Sequence, residues 1–319
     1  MRSPTPMSDG PLVPVIDLGQ PRHLLAAKIG AACEQVGFFQ IVGHGVGDTV
    51  VGDAWSATRV FFEAPDAVRA AVAMPSRGYP YGYQGFAVER LASSLGNETP
   101  PDRKHTFAIG PVHAPEAAPV DPDEVWVRSP TPWPSAPPGF RVVMETYYDA
   151  MSSLAARLLG LMADALQLGT GYFEPLIDHH VSALRLLDYP ELAEPPLPGQ
   201  LRAGAHTDYG TLTILRTAAG SNGLQTLSPT GTWTPVDAVP GGFVVNLGDS
   251  LAQWTNDRWR STMHRVVEPA HAARRTSIAF FHNANWDALI ECLPGLGEPR
   301  YRPVLAGRHL MNKFHRTVL

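Results

Sequence analysis

The chain has little cysteine, few charges and no long apolar run. Only two of its 319 residues are cysteines, Cys33 and Cys292, too few for the disulfide framework by which many secreted domains are stabilised. Charged residues make up 17% of the sequence. Nowhere do about 18 apolar residues follow one another, the length that a membrane-spanning helix requires. These absences predict a cytoplasmic protein in a reducing compartment, without a membrane partner.

A concentrated positive charge is also missing. The net charge is −5 at pH 7 and the sequence contains no basic run, which argues against nucleic acid as a partner. Hydrophobic residues, in contrast, make up 44% of the 319 positions. That content is sufficient for a substantial core, in one large domain or two ordinary ones.

The residue pattern changes at about position 139. The first region, residues 1–139, is predicted to be mixed α/β, with strands at 13–18 and 37–42, helices at 24–36 and 48–62, a Gly- and Tyr-rich loop at 76–85 and a Pro-rich connection at 111–139. We expect this region to supply a loop that lines the substrate site.

The second region, residues 140–319, begins with a predicted helix at 140–168 and ends with one at 305–314. Between them lie short strands separated by Gly- and Pro-rich turns, at 183–187, 211–215, 224–227, 233–236, 243–247, 264–267 and 276–281. Such strands are typical of a sandwich or jelly roll. The predicted fold class is therefore mainly β with flanking α-helices, in one compact unit.

Two histidines and one aspartate have the spacing of a metal site. His206 and Asp208 stand at positions i and i+2 of residues 205–215, whose alternating pattern predicts a strand, and alternate residues of a strand share a face. His264 opens a second predicted strand. Two imidazoles and one carboxylate on one side of an ion leave its other positions open. That arrangement suits Fe(II) that binds a co-substrate and O₂, whereas structural zinc sites are closed and usually contain more thiolates.

Arg275 and Ser277 also stand two positions apart on a predicted strand. A guanidinium group can bind a carboxylate through two hydrogen bonds while the hydroxyl adds one more. Arg274 is the alternative anchor, although strand parity pairs Ser277 with Arg275. The other alternative is a pair of solvated arginines on an edge strand; the apolar continuation at 278–281 favours a carboxylate site.

Further segments follow one another along nearly the whole chain: residues 13–18 (VPVIDL), 37–45 (GFFQIVGHG), 76–79 (SRGY), 102–104 (DRK), 184–190 (LRLLDYP), 246–249 (NLGD) and 254–264. Together with the His206 and Arg275 segments, they resemble the Fe(II)/2-oxoglutarate-dependent oxygenases of the isopenicillin N synthase-like family. The resemblance implies a double-stranded β-helix (jelly-roll, cupin-like) core. It also implies an enzyme that converts 2-oxoglutarate into succinate and CO₂ while it hydroxylates, desaturates or cyclises a small metabolite at an unactivated C–H bond.

Carried over residue by residue, the resemblance implies a set of iron ligands, His206, Asp208 and His264. It further implies that the distal carboxylate of 2-oxoglutarate is held by Arg275, Ser277 and Tyr189, unless Tyr189 is an ordinary core aromatic. Two positions depart from the family pattern. Many members have Asn where this chain has Leu187, and often Glu where it has His105.

An aromatic loop at 79–86 (YPYGYQGF) is the expected wall of the substrate pocket. Aromatic side chains on a glycine-containing loop can form an apolar wall that carries hydroxyl groups. The candidate substrate contacts are Tyr81, Tyr83, Phe86, Phe107 and Phe281, with ordinary packing as the alternative for each. We expect an apolar or amphipathic small molecule as substrate.

Two other functions stay open on the sequence alone. The first is an oxidase of the same family that takes its electrons from its substrate and uses no 2-oxoglutarate; it would keep the Arg-x-Ser pair for a carboxylate of that substrate. The second is a jelly-roll binding protein without catalytic activity, against which the intact set of three metal ligands argues.

Overall fold

The computed structural model of the chain describes residues 13–92, 96, 99–115, 118–192, 194–220, 223–269 and 273–317. The first twelve residues of the predicted region 1–139 lie outside these ranges. None of the helices within the described ranges combines the length and the apolar content that crossing a bilayer needs.

The strands, numbered along the chain, form one large and two smaller sheets. The large sheet has eight strands, in the spatial order β1 (Val15–Asp17), β2 (Phe38–Val42), β10 (Phe243–Leu247), β7 (Leu212–Thr217), β12 (Arg275–His282), β5 (Ala183–Tyr189), β4 (His105–Ile109) and β3 (Gly82–Gln84). A second sheet has four strands, β6 (Ala203–His206), β11 (His264–Val266), β8 (Leu224–Leu227) and β9 (Trp233–Pro235). The third pairs β13 (Leu289–Ile290) with β14 (Val304–Leu305).

Helices precede, interrupt and follow the strands. In chain order they are α1 (Arg22–Gln35), α2 (Asp48–Glu63), α3 (Asp66–Ala70), α4 (Pro122–Val127), α5 (Phe140–Ala165), α6 (Asp249–Trp254) and α7 (Ala306–Thr317). The predicted helices thus form, and α5 buries the apolar stripe that its sequence indicates. The prediction of a mainly β fold with flanking helices and a jelly-roll core is confirmed.

The two faces of the large sheet bury different partners, as strand β12 illustrates. Ile278 and Phe280 belong to the core formed with α1, α2 and α5. Ala279, on the opposite face, packs in a second core with residues of the four-stranded sheet such as Ala203 and Leu224. Because successive side chains of a strand point to opposite faces, helices cover one face and the small sheet covers the other. The space between the two sheets is where the candidate site lies.

The large sheet contains strands from both predicted regions. Strand β2, from the first region, lies between β1 and β10, and β4 pairs with β5. The N-terminal part therefore extends the same sheet as the C-terminal strands.

Three local predictions need correction. The predicted loop at 76–85 contains the short strand β3, and a short helix, α4, lies within the Pro-rich connection. The predicted continuous strand at 205–215 is wrong. Strand β6 ends at His206 and β7 begins at Leu212, in the other sheet. The chain passes from one sheet to the other over residues 207–211, which we call the crossing.

Candidate active site

His206 and His264 lie directly opposite each other on the adjacent antiparallel strands β6 and β11. Asp208 lies in the crossing between the sheets and brings its carboxylate to the two imidazoles. Its Oδ1 atom is 3.7 Å from Nε2 of His206 and 3.7 Å from Nε2 of His264. Among the described residues, no other trio of His, Cys, Asp or Glu side chains converges in this way. The structure thus brings the predicted ligand set together.

Backbone carbonyls orient both imidazoles. Nδ1 of His206 lies 2.7 Å from the carbonyl oxygen of Gly204, and Nδ1 of His264 lies 3.1 Å from that of Thr262. A carbonyl oxygen only accepts, so Nδ1 carries the hydrogen and Nε2 keeps its lone pair. The Nε2 atoms that keep these lone pairs are the ones that lie 3.7 Å from Oδ1 of Asp208. Such bonds to the remote ring nitrogen are typical of metal-binding histidines.

Hydrogen bonds to the second carboxylate oxygen of Asp208 fix the orientation of its side chain. Oδ2 accepts hydrogen bonds from Oγ1 of Thr213 at 2.6 Å and from Nδ2 of Asn246 at 2.7 Å, which leaves Oδ1 toward the histidines. Burial alone would raise the pKa of Asp208, but His264, His206 and these two donors hold it below its ordinary value. Burial, helped by the neighbouring His264, lowers the pKa of His206 to about 4. The site therefore presents a carboxylate and a neutral imidazole near neutral pH.

Two glycines allow the crossing between the sheets to pack closely. A Cβ atom on Gly210 would lie 2.3 Å from the carbonyl oxygen of His282, and one on Gly248 would lie 2.2 Å from that of Gly210. Any larger residue would push the crossing away from both neighbours. The backbone that carries Asp208 is thus confined on two sides.

The donor set fits a ferrous ion. Atoms that share an ion at about 2.0–2.2 Å are at most roughly 4.4 Å apart, and the two imidazole–carboxylate separations are 3.7 Å. Two nitrogens and one oxygen, without a thiolate, are the ligands of the facial Fe(II) sites. All three residues border a cavity, so an ion held there would remain accessible from that side.

Arg275 and Ser277 lie side by side in the same cavity. Nη1 of Arg275 is 3.2 Å from Oγ of Ser277, and Tyr189, opposite Arg275 on β5, has its ring centre 4.8 Å from the guanidinium carbon. Nε of Arg275 is buried and has no hydrogen-bond partner among the described residues. A buried cationic donor without a partner is costly, which makes this the place for an anionic ligand.

Arg274 points away from the cavity. Its Nε donates to Asp188 at 2.8 Å and its Nη1 lies 3.3 Å from Glu63, and the side chain is 37% exposed. Arg274 directly precedes β12. The two neighbouring arginines therefore lie on opposite sides of the sheet, Arg275 in the cavity and Arg274 on the side that the helices cover.

The predicted substrate residues divide into two groups. Tyr81 and Phe281 line the cavity; the hydroxyl of Tyr81 already donates to the carbonyl of Val127. Phe107 is fully buried on the helical side of the sheet, where it packs against Phe61 and Phe140, and it is not among the residues that line this cavity.

Tyr83 and Phe86 also lie outside the lining of this cavity. A hydrogen bond of 2.8 Å joins the Tyr83 hydroxyl to Nδ1 of His105, and the two rings stack. Phe86 lies against the same histidine and is 38% exposed. His105, the unusual residue after Lys104, thus lies with Tyr83 on the side of the sheet that the helices cover. Leu187, the other departure, lines the cavity directly opposite Ser277.

A buried charge cluster was missed by the sequence analysis. Glu89 lies 2.9 Å from Nζ of Lys104 and 2.6 Å from Nη1 of Arg185, and all three line the cavity. Burial would raise the pKa of Glu89, but these two cations hold it well below its ordinary value. Lys104 and Arg185 belong to the segments 102–104 and 184–190, which carry part of the resemblance described above. Glu89 follows no helical or strand periodicity that could have indicated it.

Other proteins share this sequence and fold. Residues 13–136 match the family profile described as non-haem dioxygenase in morphine synthesis N-terminal, and residues 179–284 match the 2OG-Fe(II) oxygenase superfamily. The 2-oxoglutarate-dependent dioxygenase caaD of Aspergillus niger is 34% identical over 81% of this chain and 78% of its own. Validamycin A dioxygenase of Streptomyces hygroscopicus subsp. limoneus is 31% identical over 86% and 78%.

Solved structures agree with these relatives. A full-length Neurospora crassa protein in complex with alpha-KG (2-oxoglutarate) is similar with a TM-score of 0.83 and 29% identity, covering 97% of both chains. JOX2 in complex with 2OG, Fe and JA has a TM-score of 0.79 and 27% identity, covering 94% of this chain and 84% of that one. The chain therefore belongs to the isopenicillin N synthase-like family of Fe(II)/2-oxoglutarate-dependent oxygenases and is a dioxygenase that acts on a small molecule.

Proposed function

We propose that His206, Asp208 and His264 are the iron ligands of this dioxygenase. The single observation that carries the proposal is the pair of 3.7 Å separations between the imidazole Nε2 atoms and Oδ1 of Asp208. The hydrogen bonds behind each ligand support it, because they direct one lone pair of each side chain toward a common point. The side of the ion that faces the cavity is then available to 2-oxoglutarate and O₂.

Arg275, Ser277 and Tyr189 hold the distal carboxylate of 2-oxoglutarate in this proposal. The buried Nε of Arg275, which lacks a partner among the described residues, supports the assignment, and the Ser277 hydroxyl 3.2 Å from the guanidinium group supplies a further donor. When bound, ferrous iron with 2-oxoglutarate activates O₂ for oxidation of an unactivated C–H bond, with release of succinate and CO₂.

The substrate occupies the remainder of the cavity, between the metal ligands and the wall that contains Tyr81 and Phe281. Named relatives act on or bind small molecules: one is validamycin A dioxygenase, and the similar Neurospora crassa protein has been solved with thymine. The aromatic wall next to the Glu89 cluster favours an amphipathic small metabolite, apolar over most of its surface with one polar edge. The free thiols of Cys33 and Cys292 are consistent with a reducing cytoplasm.

The test is anaerobic titration with Fe(II) and 2-oxoglutarate, followed by measurement of succinate formed per O₂ consumed. The His206→Ala variant should lose iron binding and turnover. A matched control is His44→Ala, since Nε2 of His44 is 3.0 Å from the carbonyl oxygen of Gly241 and His44 does not line the cavity. Retention of iron by His206→Ala would refute the ligand assignment. Consumption of O₂ without succinate would instead indicate an oxidase that draws its electrons from its substrate.

A further inference from the structure

Asp249, the first residue of α6, lies where three separate segments meet. Its Oδ2 accepts hydrogen bonds from Oγ1 of Thr207 at 3.2 Å and from Nζ of Lys313 at 2.6 Å. Its Oδ1 accepts from Oγ of Ser261 at 2.6 Å. The side chain is only 16% exposed, so a single nearly buried carboxylate joins all three segments.

Two of these segments lead to the proposed iron ligands. Thr207 stands between His206 and Asp208, and the backbone N–H of Asp249 also donates to the carbonyl of Asp208 at 2.8 Å. Ser261 precedes Thr262, whose carbonyl accepts from Nδ1 of His264. Asp249 therefore contacts the chain segments that carry His206, Asp208 and His264, but it is not itself a proposed ligand.

The third segment is α7, which forms part of the cavity wall. Leu310 and Phe314 of this helix line the cavity. Phe314 packs edge-on against Trp126, with ring centres 5.4 Å apart, and against Tyr209 at 5.9 Å. Tyr209 directly follows Asp208 in the crossing, so α7 packs against the segment that carries Asp208. The Lys313–Asp249 ion pair fixes α7 in that position.

We propose that Asp249 is a positioning residue that links the iron site to closure of the cavity by α7. The inference rests on the proposed function, since it takes His206, Asp208 and His264 as the ligands. Ordering of the crossing by iron favours the contacts of Asp249, and those contacts favour the docked position of α7. By thermodynamic reciprocity, docking of α7 must then raise the affinity for iron by the same factor.

The helix offers a matched pair of variants. Lys313→Met removes the ion pair with Asp249. Arg308→Met removes the ion pairs of the same helix with Asp121, at 3.6 Å, and with Asp123, at 3.3 Å. Neither of these ion pairs involves the crossing. Both replaced side chains are partly exposed, at 30% for Lys313 and 60% for Arg308. After Lys313→Met the Asp249 carboxylate still accepts hydrogen bonds from Thr207 and Ser261.

Two measurements test the link in the full-length protein. The first is the dissociation constant of Fe(II) in the presence of 2-oxoglutarate, by anaerobic competition with a chromogenic chelator. The second is amide hydrogen exchange over residues 306–317, before and after addition of Fe(II) and 2-oxoglutarate. In the wild-type protein we expect this addition to slow exchange in α7.

Lys313→Met should weaken iron binding about fivefold or more and abolish the slowing of exchange in α7. Asp249→Asn should weaken iron binding at least as much, and Arg308→Met should change it less than twofold. Equal effects of Lys313→Met and Arg308→Met, or unchanged iron affinity in Lys313→Met and Asp249→Asn, would overturn the inference. If His206→Ala binds iron as well as the wild-type protein does, the proposed ligand set fails instead, so the two failures are distinguishable.

Discussion

The side-chain amide of Asn246, on β10 of the large sheet, donates a 2.7 Å hydrogen bond to Oδ2 of Asp208 in the crossing between the sheets. We expect Asn246→Leu to lower the affinity for Fe(II) by about 10- to 100-fold, the usual effect of losing a hydrogen bond to a metal ligand. Anaerobic iron titration measures this effect. The control is Asn285→Leu, which removes a buried amide bound to Pro175 and Asp178; it should reduce stability and leave iron affinity unchanged. Equal iron affinities of the wild-type protein and Asn246→Leu would contradict the prediction.

Arg275→Met should weaken the binding of 2-oxoglutarate, whereas Arg274→Met should not. Loss of charge-assisted hydrogen bonds to a carboxylate costs about 3 kcal/mol, or roughly a hundredfold in affinity, so Arg275→Met should bind 2-oxoglutarate that much more weakly. Arg274 forms ion pairs with Asp188 and with Glu63 of α2, and its replacement should leave that affinity nearly unchanged. Calorimetric titration of the metal-loaded protein with 2-oxoglutarate measures both. The assignment of Arg275 fails if the two variants bind alike.

Phe107 and Phe281 should also differ. Phe107 is fully buried in the helical core, so Phe107→Ala should lower the free energy of unfolding by about 3–5 kcal/mol without changing which compounds stimulate succinate release. Phe281 lines the cavity, so Phe281→Ala should alter that set of compounds at a smaller cost in stability. Denaturant unfolding and a metabolite screen on the same two variants provide the comparison. A changed substrate profile in Phe107→Ala would speak against the placement of Phe107 outside the substrate site.

Two histidines, the partly buried His180 and the buried His282, should make the protein sensitive to acid. Burial, helped by nearby His113, lowers the pKa of His180 to about 4, and burial next to His180 lowers the pKa of His282 as well. The unfolded chain binds these protons near pH 6.5, whereas folded His180 binds its proton only near pH 4. Their contribution to stability is therefore fully present above about pH 6.5 and is lost progressively as the pH falls toward 4.

His180→Phe should flatten this part of the stability profile, since a phenyl ring retains the stacking on Tyr148 and does not titrate. The exposed neighbour provides the control: His179 binds Asp178 and Asp287 at the surface, and His179→Phe should leave the slope between pH 6.5 and 4 in place. Free energies of unfolding measured across this range compare the three proteins. An unchanged slope in His180→Phe would show that His180 is not the responsible group.

The alternation of side chains along strands accounts for the placement of Arg275 and Ser277 in one cavity. Arg275 and Ser277 both face the cavity because they stand two positions apart in β12, and Arg274, just before this strand, lies on the opposite side. The same rule was misapplied to His206 and Asp208. The polar and apolar alternation of residues 205–215 resembles one strand, but the close approach of Gly210 to His282 and Gly248 moves the chain into a second sheet. A sequence pattern does not contain that tertiary constraint.

The substrate wall was less predictable than the metal site. Tyr81 and Tyr83 are close in sequence, yet one lines the cavity and the other stacks on His105, because the chain enters β3 between them. Glu89 is paired with Lys104 and Arg185, which come from distant segments. Such pairs depend on how strands are placed next to each other, whereas metal ligands are recognisable by residue type and spacing.

The placement of β2 between β1 and β10 has a consequence for how the protein is made. Phe38–Val42 pairs with Phe243–Leu247, so this part of the sheet is incomplete until most of the polypeptide has left the ribosome. Contacts so distant along the chain slow folding, and unpaired strand edges promote aggregation in the meantime. A fragment that ends at residue 139 would expose β2 and β4, and we expect successful expression to require the intact polypeptide.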